Sequence, residues 1–365
     1  MFRKRGITEQ DVLQALSRIQ DPDLHRDIVS LGFVRNVKIQ DAAVSLEINL
    51  TTPACPVKDQ MRDQARQLVL ALPGVKEVQV TMTAEVRRHP GLDKAALANV
   101  RNIIAVGSGK GGVGKSTVAV NIACGLAQAG ARVGLLDADI YGPSIPIMVG
   151  TSEGLTVKND LIIPHELHGV RCMSMGFLAP GDKPLIWRGP MATKALQEGL
   201  FRVDWGPLDY LVVDLPPGTG DVHITLVQSV SMTGAVIVTT PQDVGLMISM
   251  KTLRLFQQTK VHLLGIIENM SYYVCPHCGV REEIFGHGGA RRRSEELEVP
   301  FLGEIPLDRQ IRQHADAGTP IIVADPEGTS ARAYRAIVEQ LAAQVSIRNY
   351  TYTSAASLQI TDVAR

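Results

Sequence analysis

Residues 102–117, with the sequence NIIAVGSGKGGVGKST, determine the architecture of the larger part of this 365-residue chain. Segment 109–117 fits the pattern G-x-x-x-x-G-K-[S/T], and it follows an apolar strand-like run and precedes a helical one. Glycines at these positions let backbone N–H groups close around phosphate oxygens, assisted by the positive end of the following helix dipole. The segment therefore predicts a phosphate-binding loop between a buried strand and a helix over about 115–129.

Two lysines in this loop have different predicted roles. Lys115 would neutralise the outer phosphates, while the hydroxyl of Ser116 would ligate Mg²⁺. Lys110 is a second lysine that an ordinary loop of this kind does not need. Held on a tight turn, it could reach a nucleotide bound by a second subunit; the alternative is a solvated side chain. The predicted nucleotide-binding residues here are Gly109, Lys110, Gly111, Gly112, Val113, Gly114, Lys115, Ser116 and Thr117.

Two further segments predict the rest of a site that hydrolyses a phosphate bond. Segment 135–144, LLDADIYGPS, places Asp137 and Asp139 just past an apolar run, where they could hold the Mg²⁺ shell and orient the attacking water. Segment 211–221, LVVDLPPGTGD, ends an apolar run at Asp214, which we expect to contact Mg²⁺ through water. Its glycines predict a loop that responds to the γ-phosphate. Which of Asp137 and Asp139 orients the water stays open.

The surrounding sequence predicts an α/β fold. From Asn102 on, short Val- and Ile-rich runs alternate with helical patterns, which is typical of βαβ units and a parallel sheet. We predict a P-loop NTPase domain with a mostly parallel sheet flanked by helices, preceded by a small α+β domain of the order α-β-β-α-β. The predicted boundaries are 1–83 for the small domain, 84–101 for a linker, 102–346 for the nucleotide-binding domain and 347–365 for a loose polar tail.

Composition excludes several classes of protein. Lys plus Arg and Asp plus Glu are both 37, so the formal net charge is zero, which disfavours partners such as nucleic acid or acidic lipid. We find no apolar run near the roughly 20 residues that span a bilayer, and no secretory signal. The chain has five cysteines, too few for a disulfide framework in a chain of this length. We therefore expect a cytoplasmic protein with neither nucleic-acid nor membrane partners.

The sequence CPHCG places Cys275 and Cys278 at a spacing that can hold one metal ion. Two thiolates are half a set, because tetrahedral zinc and a [4Fe–4S] cluster both take about four ligands. A two-fold dimer could supply the other half. Alternatively, His287 could be a third ligand of a zinc site, and a redox disulfide is a further option. Taken alone, the motif favours zinc.

The other cysteines carry weaker signals. Cys124 lies in the helix after the phosphate loop and Cys172 lies in an apolar strand, so we expect both in the core. Cys55, in the sequence TTPACP, is predicted to open a helix, where the dipole should lower a thiol pKa. It could assist cluster handling or target contact; otherwise it packs.

These motifs carry a family resemblance. GKGGVGKST with its inner Lys110, LLDADIYGPS and VVDLPPGTGD resemble the deviant-Walker P-loop ATPases, which include MinD, ParA and the nitrogenase iron protein. Within that group the chain is most similar to the Mrp/ApbC branch of iron–sulfur cluster carriers. The segments that carry this similarity are MSMGFL (173–178), WRGPM (187–191), ENMSYYVCPHCG (268–279), IFGHGG (284–289) and FLGEIPLD (301–308). The N-terminal region, with DPDL, DIVSLG and TTPACP, resembles the small domain of iron–sulfur assembly factors.

The resemblance implies a homodimer that binds ATP at its interface, hydrolyses it to ADP and phosphate, and uses ATP, Mg²⁺ and a [4Fe–4S] cluster. Lys110 would reach across the interface, and Cys275 and Cys278 of two chains would hold the cluster. Asn269, at the end of its strand, would contact the adenine. The implied partners are apo iron–sulfur proteins, which receive the cluster, and cluster assembly factors. With this resemblance, a cluster is favoured over zinc.

Three alternatives remain at this stage. A positioning ATPase of the MinD or ParA kind would end in a basic amphipathic membrane helix, whereas here a helix predicted over 329–345 is followed by a polar tail. A regulatory ATPase with a zinc-stapled dimer is separated from a carrier by metal analysis. A nitrogenase-type reductase needs a separated pair of cluster cysteines, which we do not find.

Overall fold

The computed structural model of the protein describes residues 7–90, 97–140, 142–151, 153–178, 189–218, 224–226 and 229–363. The chain divides into two compact units, Met1–Arg87 and Arg88–Arg365. Three sequence expectations fall outside the described residues: Tyr141, the Trp187–Arg188 part of the WRGPM segment, and the responsive loop beyond Gly218. Within the described residues, no helix combines the length and apolarity needed to cross a membrane.

The N-terminal unit has the predicted order α-β-β-α-β. Its elements are α1 Glu9–Leu16, β1 Val34–Gln40, β2 Ala43–Leu50, α2 Lys58–Leu70 and β3 Glu77–Ala84. Strand β2 is central, antiparallel to β1 and parallel to β3. Helix α1 begins with a capping box, in which Thr8 accepts a hydrogen bond from the Asp11 N–H and the Asp11 carboxylate accepts one from the Thr8 N–H. This exchange satisfies backbone donors that a helix start leaves unpaired.

The second unit contains an eight-stranded sheet of order β15-β12-β11-β4-β10-β5-β9-β8, parallel throughout except that β8 pairs antiparallel with β9. Its strands are β4 Ile103–Ser108, β5 Val133–Asp137, β8 His165–Leu167, β9 Val170–Ser174, β10 Tyr210–Asp214, β11 Gly234–Thr239, β12 Leu263–Glu268 and β15 Phe301–Glu304. Two hairpins stand apart from it, β6 Thr156–Lys158 with β7 Leu161–Ile163, and β13 Tyr273–Val274 with β14 Arg281–Glu282. Strands β4, β5, β10, β11 and β12 are buried at every position, as a sheet with helices on both faces requires.

The helices of this unit are α3 Lys115–Gln128, α4 Ile145–Val149, α5 Gly189–Phe201, α6 Asp243–Gln258, α7 Gly289–Glu296, α8 Arg309–Asp316, α9 Ile321–Ala324 and α10 Thr329–Val363. The chain leaves β4, passes through α3 and returns in β5, with β10 inserted between those two strands. Strand order therefore changes direction at the end of β4, and open α/β sheets bind ligands at such points. The predicted mostly parallel sheet with flanking helices is confirmed.

The prediction of a loose polar tail over 347–365 is wrong, because α10 continues to Val363. Asn349 is only 2% exposed. Its Oδ1 lies 3.1 Å from Nδ1 of His89, and its Nδ2 donates to Oδ1 of Asn102 over 2.8 Å. Polar residues that resemble a tail in composition thus form a buried hydrogen-bond network.

The segment predicted as a linker, 84–101, is also partly structured. Strand β3 extends to Ala84, and His89 is buried, with its N–H donating to the carbonyl of Arg101 over 2.8 Å. The middle of this segment, 91–96, lies outside the described residues. Where the chain leaves that segment, Leu97 and Val100 are buried in the core of the second unit.

Candidate functional site

The phosphate loop joins β4 to α3 and depends on glycine geometry. Gly112 and Gly114 have φ of +79° and +78°, in the left-handed region that favours glycine. A Cβ at Gly114 would collide with the amide of Asn269. That amide donates from Nδ2 to the carbonyl of Val113 over 2.8 Å, and Asn269 is 6% exposed. The structure therefore places Asn269 directly against the loop; its contact with adenine remains a proposal.

A buried ion pair occupies the centre of the site. Nζ of Lys115 lies 2.6 Å from Oδ1 of Asp214, and the two side chains are 6% and 0% exposed. Nζ of Lys115 is also 3.4 Å from the hydroxyl oxygen of Ser116. Oδ2 of Asp214 is buried without a hydrogen-bond partner among the described residues. An unpartnered buried carboxylate oxygen beside a hydroxyl fits the oxygen ligands and bridging waters that Mg²⁺ prefers.

Strand register brings a second carboxylate to this pair. Asp137 is the register partner of Asp214 on one side and of Ser174 on the other. Asp137 is 1% exposed and accepts hydrogen bonds from the Ser174 hydroxyl at 2.9 Å, the Asp139 N–H at 3.1 Å and the Ile145 N–H at 3.3 Å. These three donors fix the orientation of the carboxylate.

The two carboxyl groups compete for one lysine. Burial raises the pKa of Asp137 to about 7, and the negative charge of Asp214 adds to this effect. Burial also raises the pKa of Asp214, against the opposing effect of the Lys115 ammonium. Carboxylates crowded in this way favour additional positive charge, which a divalent cation would supply.

The structure distinguishes the two aspartates after β5. Asp137 lies beside Asp214, whereas the half-buried Asp139 lies further along the loop, where its Oδ1 accepts from the Gly142 N–H at 3.3 Å. Ser174 is a site residue that the sequence analysis missed. Only the position of β9 next to β5 brings its hydroxyl to Asp137, and strand order does not follow from a single apolar run.

Lys110 lies on the outer side of the loop. It is half-buried, and its Nζ is 3.4 Å from Oε1 of Gln242 in the same chain. The loop is joined to the loop after β10 through Ser108, whose carbonyl accepts from the Gly218 N–H at 3.0 Å. The hydroxyl of Thr252 lies 3.4 Å from the Ser108 carbonyl and 3.3 Å from the Gly218 carbonyl. The loops after β4 and β10 are therefore coupled within one chain.

The pair Cys275 and Cys278 lies in the turn of the hairpin β13–β14. The Cys275 N–H donates to the Val280 carbonyl at 2.9 Å, and the Gly279 N–H donates to the Cys275 carbonyl at 2.8 Å. Cys275 is half-buried and Cys278 is exposed. The backbone N–H groups of Cys278 and His277 lower the pKa of the Cys275 thiol, with a further contribution from the Cys278 side chain. The turn therefore favours a thiolate, which is the metal-binding form of cysteine.

The structure does not bring His287 to the cysteines. Among the described residues, the one group of three potential ligand side chains within 4.8 Å of one another is Glu268, His287 and Glu304, without a cysteine. The zinc alternative with His287 as third ligand is therefore not supported. Arg281 lies 3.2 Å from Glu304, and Arg291 lies 3.7 Å from it, so this group is better described as an ion-pair network than as a cation site.

Cys124 and Cys172 are buried, as predicted. Burial raises the pKa of the Cys124 thiol to about 12 and raises that of Cys172 further. In the N-terminal unit, Cys55 is half-buried in the turn before α2, where its carbonyl lies 3.4 Å from the Lys58 N–H. It precedes the helix rather than opening it.

These environments predict selective thiol chemistry. Iodoacetamide at neutral pH is expected to modify Cys275 and Cys278 in the folded protein, because one is activated and both are accessible. Cys124 and Cys172 should react only after unfolding, because their thiols are buried and protonated. Peptide mass spectrometry after timed alkylation measures each rate. Equal labelling of Cys124 and Cys275 in the folded protein would contradict this assignment.

Because the pKa of Asp137 is raised, we expect the free energy of unfolding of the ligand-free protein to depend on pH. Its pKa rises from the ordinary 3.8 to about 7 in the folded state. Between these values the folded state holds a proton that the unfolded state has released, so the free energy of unfolding falls as pH rises through this range. The Asp137→Asn variant should lack this loss and gain a few kcal/mol over the wild type between pH 5 and pH 8.

Urea unfolding of the wild type and of Asp137→Asn at pH 5 and at pH 8, without nucleotide or Mg²⁺, tests this expectation. Asp139→Asn is the matched control, because Asp139 is half-buried and Asp137, not Asp139, is the register partner of Asp214. A pH dependence that is the same in wild type and Asp137→Asn would mean that Asp137 is ionised in the folded protein.

Comparison with known proteins confirms the predicted fold class. A family model of NUBPL iron-transfer P-loop NTPases matches residues 99–342, and a model of iron–sulfur cluster assembly proteins matches residues 9–81. The chain is 50% identical over 339 residues to the iron–sulfur cluster carrier protein of Deinococcus radiodurans, covering 92% of this chain and 95% of that protein. It is 49% identical over 348 residues to the protein of the same name from Synechocystis, covering 93% and 99%.

A solved structure is similar as well. The nucleotide-binding protein of Archaeoglobus fulgidus, in complex with ADP, has a TM-score of 0.58 and 39% identity. The match covers 66% of this chain and 94% of that one.

Proposed function

The chain belongs to the NUBPL iron-transfer P-loop NTPases, and from this membership we propose that it is an ATP-dependent iron–sulfur cluster carrier. The observation that carries the proposal is that one short segment contains both a contact to the phosphate loop and the cysteine pair. Strand β12 ends at Glu268, the next residue, Asn269, bonds the phosphate loop, and the cysteine turn begins at Cys275. Nucleotide and cargo would therefore bind at the two ends of a short, well-bonded stretch of backbone.

In this proposal the phosphate loop binds ATP and the chain hydrolyses it to ADP and phosphate. Lys115 would exchange its bond with Asp214 for the outer phosphates, and the Ser116 hydroxyl with Asp214 would hold Mg²⁺. A bound Mg²⁺ would neutralise phosphate charge as it transfers. Asp137 and Asp139 would position the attacking water, and Asn269 would contact the adenine.

Cys275 and Cys278 would bind the cargo as thiolates. Two ligands per chain are half of what a [4Fe–4S] cluster takes, so we propose a homodimer in which two cysteine turns face each other. Lys110 would leave Gln242 and reach the nucleotide of the other subunit. A cavity of about 830 Å³ beside the turn is lined in part by Pro276 and His277. An acceptor would contact the turn there.

The proposed recipients are apo iron–sulfur proteins, and the proposed suppliers are cluster assembly factors. The N-terminal unit, from its similarity to iron–sulfur cluster assembly proteins, is proposed to contact one of these two groups. All five cysteines have free thiols, which is the state kept in the reducing cytoplasm, our proposed location.

Anaerobic reconstitution with iron and sulfide tests the proposal. We expect about four iron and four sulfide per dimer, and transfer of the cluster to an apo acceptor at a rate that depends on ATP. Bound Fe, S²⁻ and Zn are quantified in the same sample. Tightly held zinc that iron does not replace would overturn the proposal in favour of a zinc-stapled regulatory ATPase.

A further inference from the structure

The hairpin that carries the cysteines has little stability of its own. Its strands pair through two positions only, Tyr273 with Glu282 and Val274 with Arg281. A two-stranded ribbon of any length is marginal in water without packing against other elements. The orientation of Cys275 relative to the sheet must therefore come from contacts outside the hairpin.

Arg281 contacts three groups outside the paired strands of the hairpin, of which Glu304 belongs to the main sheet. Its Nη2 lies 3.2 Å from Oε2 of Glu304, at the end of β15, and 3.2 Å from Nδ1 of His287. Its guanidinium carbon lies 3.9 Å from the centre of the Tyr272 ring. A planar guanidinium that stacks on a ring and bonds a carboxylate is held in one orientation, which lysine cannot reproduce. Because Arg281 pairs with Val274, next to Cys275, its position sets that of the turn.

The group that receives Arg281 is itself fixed. Glu304 is 15% exposed, and Arg291 of α7 lies 3.7 Å from its Oε1. The guanidinium of Arg291 also lies 4.4 Å from the centre of the Phe301 ring, at the start of the same strand. Glu304 is thus held between an arginine of the hairpin and an arginine of the helix layer.

The same strand ends hold the phosphate loop. Glu268 is fully buried, and its two oxygens accept hydrogen bonds from the Ser271 hydroxyl and the Ala290 N–H, each at 2.7 Å. The Ser271 N–H donates to the Ile305 carbonyl at 2.9 Å, one residue after Glu304. Asn269, between Glu268 and Ser271, bonds the loop. The ends of β12 and β15 therefore contact the nucleotide site on one side and the Arg281 anchor on the other.

We propose that Arg281 is a positioning residue that fixes the cysteine turn against the strand ends which also hold the phosphate loop. Through this contact, occupation of the loop by nucleotide changes the reactivity of the cysteine pair. The inference rests on the proposed function for its meaning, because it makes Arg281 the residue that links ATP to the cluster ligands.

The test uses the full-length protein without a cluster and measures the alkylation rate of Cys275 with and without Mg-ATP. In the wild type we expect ATP to change this rate by about fivefold or more. Arg281→Gln should lower the rate without nucleotide by about fivefold, because the turn whose N–H groups favour the Cys275 thiolate loses the ion pair and the cation–π contact that hold it. It should also lose the response to ATP. Arg281→Lys should restore the charge but only part of the response.

Two controls make the result specific. Arg293→Gln is the matched control, because Arg293 lies on α7 and pairs with Glu296, away from the hairpin; it should behave as the wild type. ATP affinity of Arg281→Gln is measured alongside and should be unchanged. The proposal is overturned if Arg281→Gln keeps the wild-type rate and response, or if the wild type shows no response to ATP. The two proposals can fail separately. If the Cys275 alkylation rate responds to ATP through Arg281 but the protein binds no cluster, the carrier function is refuted and the positioning role of Arg281 stands.

Discussion

ATP hydrolysis by the Lys115→Ala variant is expected to fall by about 100-fold or more, because the variant lacks the cation that we propose to neutralise the outer phosphates. The same substitution removes the partner of Asp214, a carboxyl group that is 0% exposed. Leaving one member of a buried pair alone costs about 3–5 kcal/mol of folding free energy. The variant should therefore be less active and also less stable, and the two effects need to be separated.

The double variant Lys115→Ala/Asp214→Asn separates them. Without the unpaired carboxylate of Asp214 it should recover most of the lost stability, measured by urea unfolding, while phosphate release stays at the level of the single variant. Lys110→Ala is the companion variant, because we propose that Lys110 acts on the nucleotide of the other subunit. This variant should still bind ATP, while its hydrolysis of ATP falls. Full activity of Lys115→Ala would mean that nucleotide is hydrolysed elsewhere in the chain.

Replacing both cysteines of the turn is expected to remove the cargo. In Cys275→Ala/Cys278→Ala, iron and sulfide retained after reconstitution should fall below about a tenth of the wild-type amount, because no other described pair of thiols shares one turn. The broad visible absorption of the cluster should be lost with them. ATP affinity should be unchanged, because the cysteine turn does not contact the phosphate loop directly.

Cys124→Ala is the matched control for this experiment. It also removes a thiol, but one that is 1% exposed in α3 and protonated over the accessible pH range. It should keep the wild-type iron and sulfide content. Equal cluster content in the double variant and the wild type would place the cluster on other ligands and refute the assignment of this pair.

Much of the nucleotide site was predictable because its chemistry is local in sequence. The phosphate loop and the strand-terminal Asp137 and Asp214 each follow from a few consecutive residues. What the sequence could not show is the ion pair between Lys115 and Asp214, which depends on β4 and β10 being neighbours. Ser174 was missed for the same reason, since its contact with Asp137 is a matter of strand order.

Two further contacts could not be read from local sequence. His287, which the sequence offered as an alternative third ligand, lies with Glu268 and Glu304. Asn269 entered through the family resemblance, and only the structure shows that Gly114 must lack a Cβ to admit its amide. These contacts lie between distant segments, about which local patterns carry no information.

The buried network around Asn349 has a consequence for how the second unit is made. Asn102, at the entrance to the first strand of that unit, bonds an amide that is 247 positions later in the chain. During synthesis Asn102 and His89 leave the ribosome long before Asn349 has been made. Until then, the side chains of Asn102 and His89 must stay hydrated or find temporary partners. Contacts of such large sequence separation form slowly, and domains generally fold as units. The turn of α10 that carries Asn349 therefore completes the unit late in folding.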